Sequence, residues 1–308
     1  MSSQGYMGFI GVSTHNSSIM SVFPLWAEIL DLPTRELRGY DLPLDATAGD
    51  YRQLVTAIRE DPQHRGALVT THKMNVFSHC QDLFDDIDPF GMACHEISSI
   101  SKRGSRLIGR AKDPLTVEMA LEDFLPSGTF GNSSAEVLIL GAGGSGTALS
   151  WALAKRGDDL PKKITVTAQS GHKLDALGEV HSTLGTPDSL LQLVQVSSAE
   201  ESDAQVADLP AGSLVVNATG LGKDRPGSPL SDHAQFPRGG WAWEFNYRGS
   251  LEFLHQAKAQ EASRELTVVD GWRYFIHGWS QVIADVFERE LTAELIEQLA
   301  DAAETVRR

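Results

Sequence analysis

Three glycines at fixed spacing, Gly141, Gly143 and Gly146, follow directly on the apolar run Val137–Leu140. A stretch carrying Ala148, Leu149, Trp151 and Leu153 comes next, so a buried strand runs into a glycine turn and then a helix. That order is the one that binds a pyrophosphate. Gly141 permits the tight turn, Gly143 lets the backbone approach the phosphates, and Gly146 lets the helix pack closely on the strand. The helix N-terminus adds amide donors and a positive dipole. Gly141, Ala142, Gly143, Gly144, Ser145 and Gly146 are therefore the expected cradle of a dinucleotide, a source of hydride. A second chemical group stands in the first half, where residues 66–73 read GALVTTHK, an apolar strand ending in polar residues and Lys73. An ammonium at a strand end could stabilise and protonate the oxygen of a ketone that receives hydride.

The elements that must position these groups follow a regular pattern. Ahead of the glycine loop, residues 7–12, 35–41 and 66–70 read as strands, with helical spacing at 19–30 and 48–60 between them. Beyond it, apolar segments at 163–167, 191–196, 213–218, 241–245 and 266–270 read as the rest of a parallel sheet. Alternating strands and helices predict an α/β fold of two domains with a cleft between them. The expected boundaries give a substrate-binding and catalytic domain over 1–114, a Rossmann-type domain over 115–271, and C-terminal helices over 272–308 returning to the first domain.

Composition narrows the function classes. The net charge of -15 disfavours nucleic acid and anionic membrane surfaces, because phosphate contacts need clustered Lys and Arg. Only Cys80 and Cys94 occur, without CxxC spacing, and the histidines share no ligand spacing, so no metal site is expected. With neither a signal-peptide pattern nor a membrane-spanning run, the expected location is cytoplasmic, as monomer or homodimer. The acidic run Asp85, Asp86 and Asp88 reads as a solvated loop or helix end.

Taken in order, these segments resemble the shikimate dehydrogenase family over nearly the whole chain. The family's GxPIxHSxSPxxH is matched in part by GVSTHNSSIMSVF at 11–23, NVTxPxK by LVTTHK at 68–73, and GxNTD by GRAKD at 109–113. INATPxGM is matched by VNATGLGK at 216–223, vYxP by the segment around Tyr247, and GxxMLxxQ by GWRYFIHG at 271–278. The resemblance implies Lys73 and Asp113 as the catalytic pair. It also implies Ser17, Thr70, His95, Tyr247 and Gly278 at substrate-binding positions, and Asn217, Ala218 and Thr219 beside the cofactor. Aspartate beside lysine fits the chemistry, since it would orient the ammonium and relay its proton.

The departures bear on substrate and cofactor. Leu68, His95, Ala111 and Gly278 stand where the family carries three asparagines and a glutamine. Each unpaired buried hydroxyl costs about 1–3 kcal/mol, so shikimate itself should bind poorly unless other groups compensate. His72, His95, Lys112, Arg273 and His277 are the candidate replacements. The strand after the glycine loop ends Thr167-Ala168-Gln169-Ser170, without the acid that binds the ribose diol of NAD. Gln169, Ser170 and Lys173 are the expected adenosine-side contacts, and NADP is expected ahead of NAD. The expected substrate is a small cyclic hydroxy or keto acid. A catalytically silent NAD(P)-binding sensor and a methylene-tetrahydrofolate dehydrogenase-like enzyme are the alternatives.

Overall fold

The computed structural model describes residues 5–223 and 225–307. Two compact units form, one from the residues up to Thr116 together with those from Ile276 on, the other from Val117–Phe275. In chain order the first elements are β1 (Tyr6–Gly11), α1 (Ile19–Ile29), β2 (Leu37–Asp41), α2 (Ala48–Glu60), β3 (His64–Val69), α3 (Lys73–Cys80), β4 (Asp86–Ile87), α4 (Pro89–Cys94), β5 (Ser99–Arg103), β6 (Arg106–Arg110) and α5 (Asp113–Glu122). There follow β7 (Val137–Leu140), α6 (Gly144–Ala154), β8 (Ile164–Ala168), α7 (Gly171–Leu184), β9 (Leu191–Gln195), α8 (Ala199–Ala207), β10 (Leu214–Asn217) and β11 (Trp241–Glu244). The chain ends with α9 (Glu252–Lys258), α10 (Glu261–Arg264), β12 (Thr267–Val269), α11 (Trp272–Phe287) and α12 (Ala293–Glu304).

The first unit is built on a mixed six-stranded sheet in the order β2-β1-β3-β5-β6-β4. Its parallel half follows from composition. Every residue of β1 is buried, as expected of a strand covered on both faces. The other half departs from the alternating pattern expected from sequence. β5 and β6 form an antiparallel hairpin around Gly104, and β5 also runs antiparallel to β3. The acidic run is not simply solvated. Asp85 accepts the Leu107 amide at 2.8 Å and pairs with Arg59 at 2.6 Å, while Asp88 caps α4 through the Gly91 amide at 2.8 Å. Both aspartates therefore pin the segment ahead of β5. At the C-terminus α12 lies on α1, where the Trp26 indole donates to the Leu299 carbonyl at 2.7 Å.

The second unit carries a parallel sheet in the order β12-β11-β10-β7-β8-β9. Starting from central β7, the chain winds outward through β8 and β9, then returns to β10 on the opposite side and continues to β12. Strand order thus reverses between β7 and β10, and open α/β sheets place ligands where that happens. β7 is buried at all four positions, which anchors the glycine turn that follows it.

Candidate active site and dinucleotide cradle

In the first unit the antiparallel placement of β5 decides what meets at one sheet edge. The C-terminal ends of β3 and β6 lie beside the N-terminal end of β5, so three separate segments converge. The backbone ties them together. Val69 donates to the Ser98 carbonyl at 2.9 Å, Ile97 to the Lys73 carbonyl at 3.2 Å, and Ser98 to the Arg110 carbonyl at 3.0 Å. The Lys112 amide donates to Ser98 Oγ at 2.7 Å. Lys73 at the start of α3 and Asp113 at the start of α5 are thereby brought into a direct hydrogen-bonded ion pair, with only 16% and 9% of their side chains exposed.

A third ionisable group belongs to this cluster and is not among the residues singled out from sequence. Glu96, just ahead of β5, is fully buried, and neither carboxyl oxygen has a hydrogen-bond partner among the described residues. Burial pushes its pKa well above the carboxylate range, Asp113 adds to that, and Lys73 opposes it. For Lys73, burial disfavours the charge, but Asp113 and Glu96 outweigh it and hold the ammonium above its ordinary pKa. The arrangement keeps Lys73 protonated, able to donate to an oxygen on which negative charge develops.

The remaining sequence candidates in this unit separate into two groups. Ser17 is buried ahead of α1, and Thr70 uses its hydroxyl proton on the Ile10 carbonyl at 3.2 Å, leaving its oxygen lone pairs. Gly278 lies on α11 with the Thr116 methyl carbon 3.5 Å from where a Cβ would stand. His95 ends α4 in the left-handed conformation, is exposed, and stacks on Phe77 with ring centroids 5.3 Å apart, while the next residue, Glu96, is fully buried. His72 and Lys112 are also committed elsewhere. His72 accepts from the Tyr51 hydroxyl at Nδ1 (2.7 Å) and donates from Nε2 to the Leu42 carbonyl (2.9 Å), a neutral arrangement that its burial-lowered pKa favours. Lys112 lies 3.5 Å from Asp285.

The glycine turn of the second unit meets the physical demands of a phosphate cradle. Gly141 has φ of 116°, and a Cβ there would stand 2.7 Å from the Ala218 carbonyl oxygen. A Cβ on Gly146 would stand 2.0 Å from the Gly141 carbonyl oxygen, so the first turn of α6 rests directly on the loop. Around Gly143 the space is open, and among the described residues no side chain caps α6, which leaves its first amides for an anion. Ala142, Gly144 and Ser145 complete the turn. At the end of β8, Gln169, Ser170 and Lys173 are exposed, and the first turn of α7 contains no acid and no side-chain cap. These residues fit a dinucleotide, and the first turn of α7 carries no acid to repel a 2′-phosphate.

Asn217, at the end of β10, is bonded within its own loop. Its fully buried amide donates to Glu244 at 2.8 Å and accepts from the Thr219 hydroxyl and amide at 2.7 and 3.1 Å. It therefore shapes the loop that sets Ala218 and Thr219 against Gly141. Tyr247 and Arg273 belong to this same unit. Tyr247 packs on Phe275 with centroids 4.4 Å apart, and Arg273 grips Asp123 through two hydrogen bonds of 2.7 and 3.2 Å.

Glu244, also unremarked in the sequence, supplies a prediction. Burial raises its pKa to about 7 despite hydrogen bonds from the Asn246 amide and Asn217, against an ordinary value of 4.5. Between those pH values the folded protein retains a proton that the unfolded chain has released, so this group's contribution to stability is lost as pH rises. Glu244→Gln should remove that dependence. In thermal melts the variant's Tm should improve relative to the parent as pH rises from 4.5 to about 7, then run parallel. A pH-independent difference would refute it.

No protein-family model matches the chain. Among curated proteins, it is 26% identical to the NADP(+) shikimate dehydrogenase of Streptococcus gordonii over 181 residues, 57% of this chain and 58% of that relative. The corresponding protein of Streptococcus thermophilus is 24% identical over 178 residues, 58% of each chain. The chain thus matches only somewhat more than half the length of these relatives. Solved structures extend the likeness in fold. Quinate dehydrogenase from Corynebacterium glutamicum in complex with NAD superposes with a TM-score of 0.75 at 20% identity, covering 97% of this chain and 98% of that one. Shikimate 5-dehydrogenase from Thermus thermophilus with NADP(H) and shikimate gives a TM-score of 0.71 at 24% identity, covering 97% and 99%. By sequence over part of its length and by fold over nearly all of it, the chain is shikimate dehydrogenase-like.

Proposed function

We propose that the chain is an NAD(P)-dependent oxidoreductase that interconverts a hydroxyl and a ketone on a small carboxylated ring. The observation that carries this reading is the buried Lys73–Asp113 ion pair at a sheet edge, in a chain that also has an uncapped glycine-rich dinucleotide turn. A bound nicotinamide supplies or accepts the hydride. In ketone reduction the Lys73 ammonium donates a hydrogen bond to the carbonyl oxygen and passes it a proton as the alkoxide forms. Asp113 holds the ammonium in place and stabilises its charge. In the oxidation direction the hydroxyl proton returns to Lys73 after its own proton has left, with Asp113 as the neighbouring acceptor. Ser17 and Thr70 are the proposed contacts for the ring's carboxylate or hydroxyl groups.

We also propose NADP as the preferred cofactor. The name of the Streptococcus gordonii relative and the missing acid at the end of β8 support it. Steady-state assays of shikimate, quinate and related hydroxy acids with each cofactor test both parts. Lys173→Ala should raise the KM for NADP by about three- to tenfold and leave that for NAD unchanged, as expected for one exposed phosphate contact. Equal losses with both cofactors would remove Lys173 from the 2′-phosphate site. Failure to turn over any ring acid, with the dinucleotide bound, would reject the oxidoreductase reading.

A further inference from the structure

Within the first unit a cavity of about 270 Å³ is lined by Arg103 of β5, Lys112 just after β6, and Gln281, Asp285, Glu288 and Arg289 along and just past α11. The pleat of the sheet sets it apart from the Lys73–Asp113 pair. Ile100 and Leu107 join the core cluster that holds Val76 and Phe77 of α3. Ser99 and Ser101 point to the other face, where both hydroxyls donate to Asp285 Oδ2 at 2.7 and 2.8 Å. Asp285 stands about 10 Å along α11 from Gly278, and Arg103 is at the end of β5 remote from Ser98. The charges around the cavity do not balance, in a chain whose net charge is -15. Arg103 is fully engaged: it pairs with Glu288 at 2.6 Å and donates to the Asp285 and Val286 carbonyls at 2.6 and 3.2 Å, which neutralises the carbonyl end of α11. Asp285 is shared between Arg110 at 3.2 Å and Lys112 at 3.5 Å, so one of those two cations is unmatched. Arg289 donates to the Asp31 carbonyl at 2.6 Å and has no carboxylate partner among the described residues. Lys112 is the more telling of the two. Its side chain is only 19% exposed, and among the described residues its ammonium meets no acceptor closer than Asp285. A largely buried ammonium with unfilled donors at a cavity wall is costly unless an acceptor joins it.

We infer that this cavity binds a small ligand with two anionic groups, one held by Lys112 and the other by Arg289. The number of groups follows from the charge: two cations are left without a matching carboxylate. Their separation follows from the helix. Arg289 lies one turn past Asp285, the residue that holds Lys112, which sets the two cations about 6 Å apart along the helix direction. A short dicarboxylate bridges such a spacing, and each carboxylate then accepts charge-assisted hydrogen bonds. A single carboxylate reaches only one of the two cations. Asp285 stays bonded to Ser99, Ser101 and Arg110 when Lys112 turns to the ligand, so no carboxylate is stranded by binding. The inference stands independently of the oxidoreductase reading.

Succinate is the probe, titrated into the full chain at constant ionic strength with NADP present to fill the glycine cradle. Calorimetry and the rise in Tm read its binding. Saturable binding in the millimolar range is expected for succinate, and none for acetate at twice the concentration. Lys112→Met should weaken succinate about 10- to 100-fold, the loss of charge-assisted hydrogen bonds from a mostly buried ammonium. Arg289→Gln, at an exposed position, should weaken it about two- to fivefold. Glu288→Gln removes an exposed carboxylate from the rim and frees Arg103, so it should tighten succinate about two- to fivefold. A gain of affinity is a result that damage to the fold does not produce. Absence of saturable binding, acetate matching succinate, or equal affinity in the parent and these variants would overturn the site.

Discussion

Lys73→Ala is expected to lower kcat by about 100- to 10,000-fold, the range over which a positioned acid–base group contributes to rate. The size follows from the site's construction. Among the described residues no other cation is paired with Asp113, so the developing charge on a carbonyl oxygen would lose its stabilising donor. The same change leaves Asp113 and Glu96 buried without their counter-ion, and removing one partner of a buried pair is destabilising. Thermal melts must therefore accompany the kinetics, and the assay belongs below the variant's transition. Asp113→Asn gives an independent view, because it keeps the shape while removing the charge that holds Lys73 protonated. Dinucleotide binding should survive in both variants, since the cradle belongs to the other compact unit. If kcat for the accepted ring stays within a few-fold in a folded Lys73→Ala, the lysine has no part in proton transfer.

The glycine loop yields the second large effect, and two neighbouring substitutions should fail in different ways. In Gly146→Ala the added carbon would stand 2.0 Å from a backbone oxygen of the same turn, so loop and helix must separate. A forced shift of this kind costs about 1–3 kcal/mol, and it displaces the amides that would face the pyrophosphate. Loss of both Tm and cofactor affinity is expected. Gly143→Ala meets open space, at φ of -88° and ψ of -175°, a conformation alanine adopts readily. It should lose only about 0.5–1 kcal/mol for the change at the cap, less than Gly146→Ala, yet bind the dinucleotide at least tenfold more weakly. Melting curves and dinucleotide titrations distinguish the two outcomes. Normal binding in a folded Gly143→Ala would mean that the phosphates do not approach this turn.

Much of this was legible in the residues, for identifiable reasons. The run Val137–Leu140 followed by spaced glycines announces its geometry locally, because each glycine answers a steric demand within a few positions. Lys73 and Asp113 were found through motif order, since no local rule brings residues forty positions apart into contact. Glu96 was missed because its placement depends on β5 running antiparallel to both β3 and β6, which alternating strand and helix signals do not convey. Motif order points to His95 instead, one position away, where the helix ends and the residue is exposed. The available signal was a lone acid directly before the apolar and small-residue stretch ISSIS. Asn217 illustrates a related limit, because a motif marks a position near the cofactor without saying whether its side chain touches the ligand or builds the loop.

We propose that hydride passes directly between a ring carbinol carbon and a nicotinamide, with Lys73 handling the proton. The most direct measurement uses ring acids deuterated at the carbinol carbon, incubated with the protein and NADP or NAD, followed by mass analysis of the reduced nicotinamide. Deuterium should appear in the nicotinamide with wild type and one of the rings, and fall to a small fraction of that rate with Lys73→Ala. Recovery of no label from any ring, by a protein that binds the dinucleotide, would rule out hydride transfer between these rings and the nicotinamide.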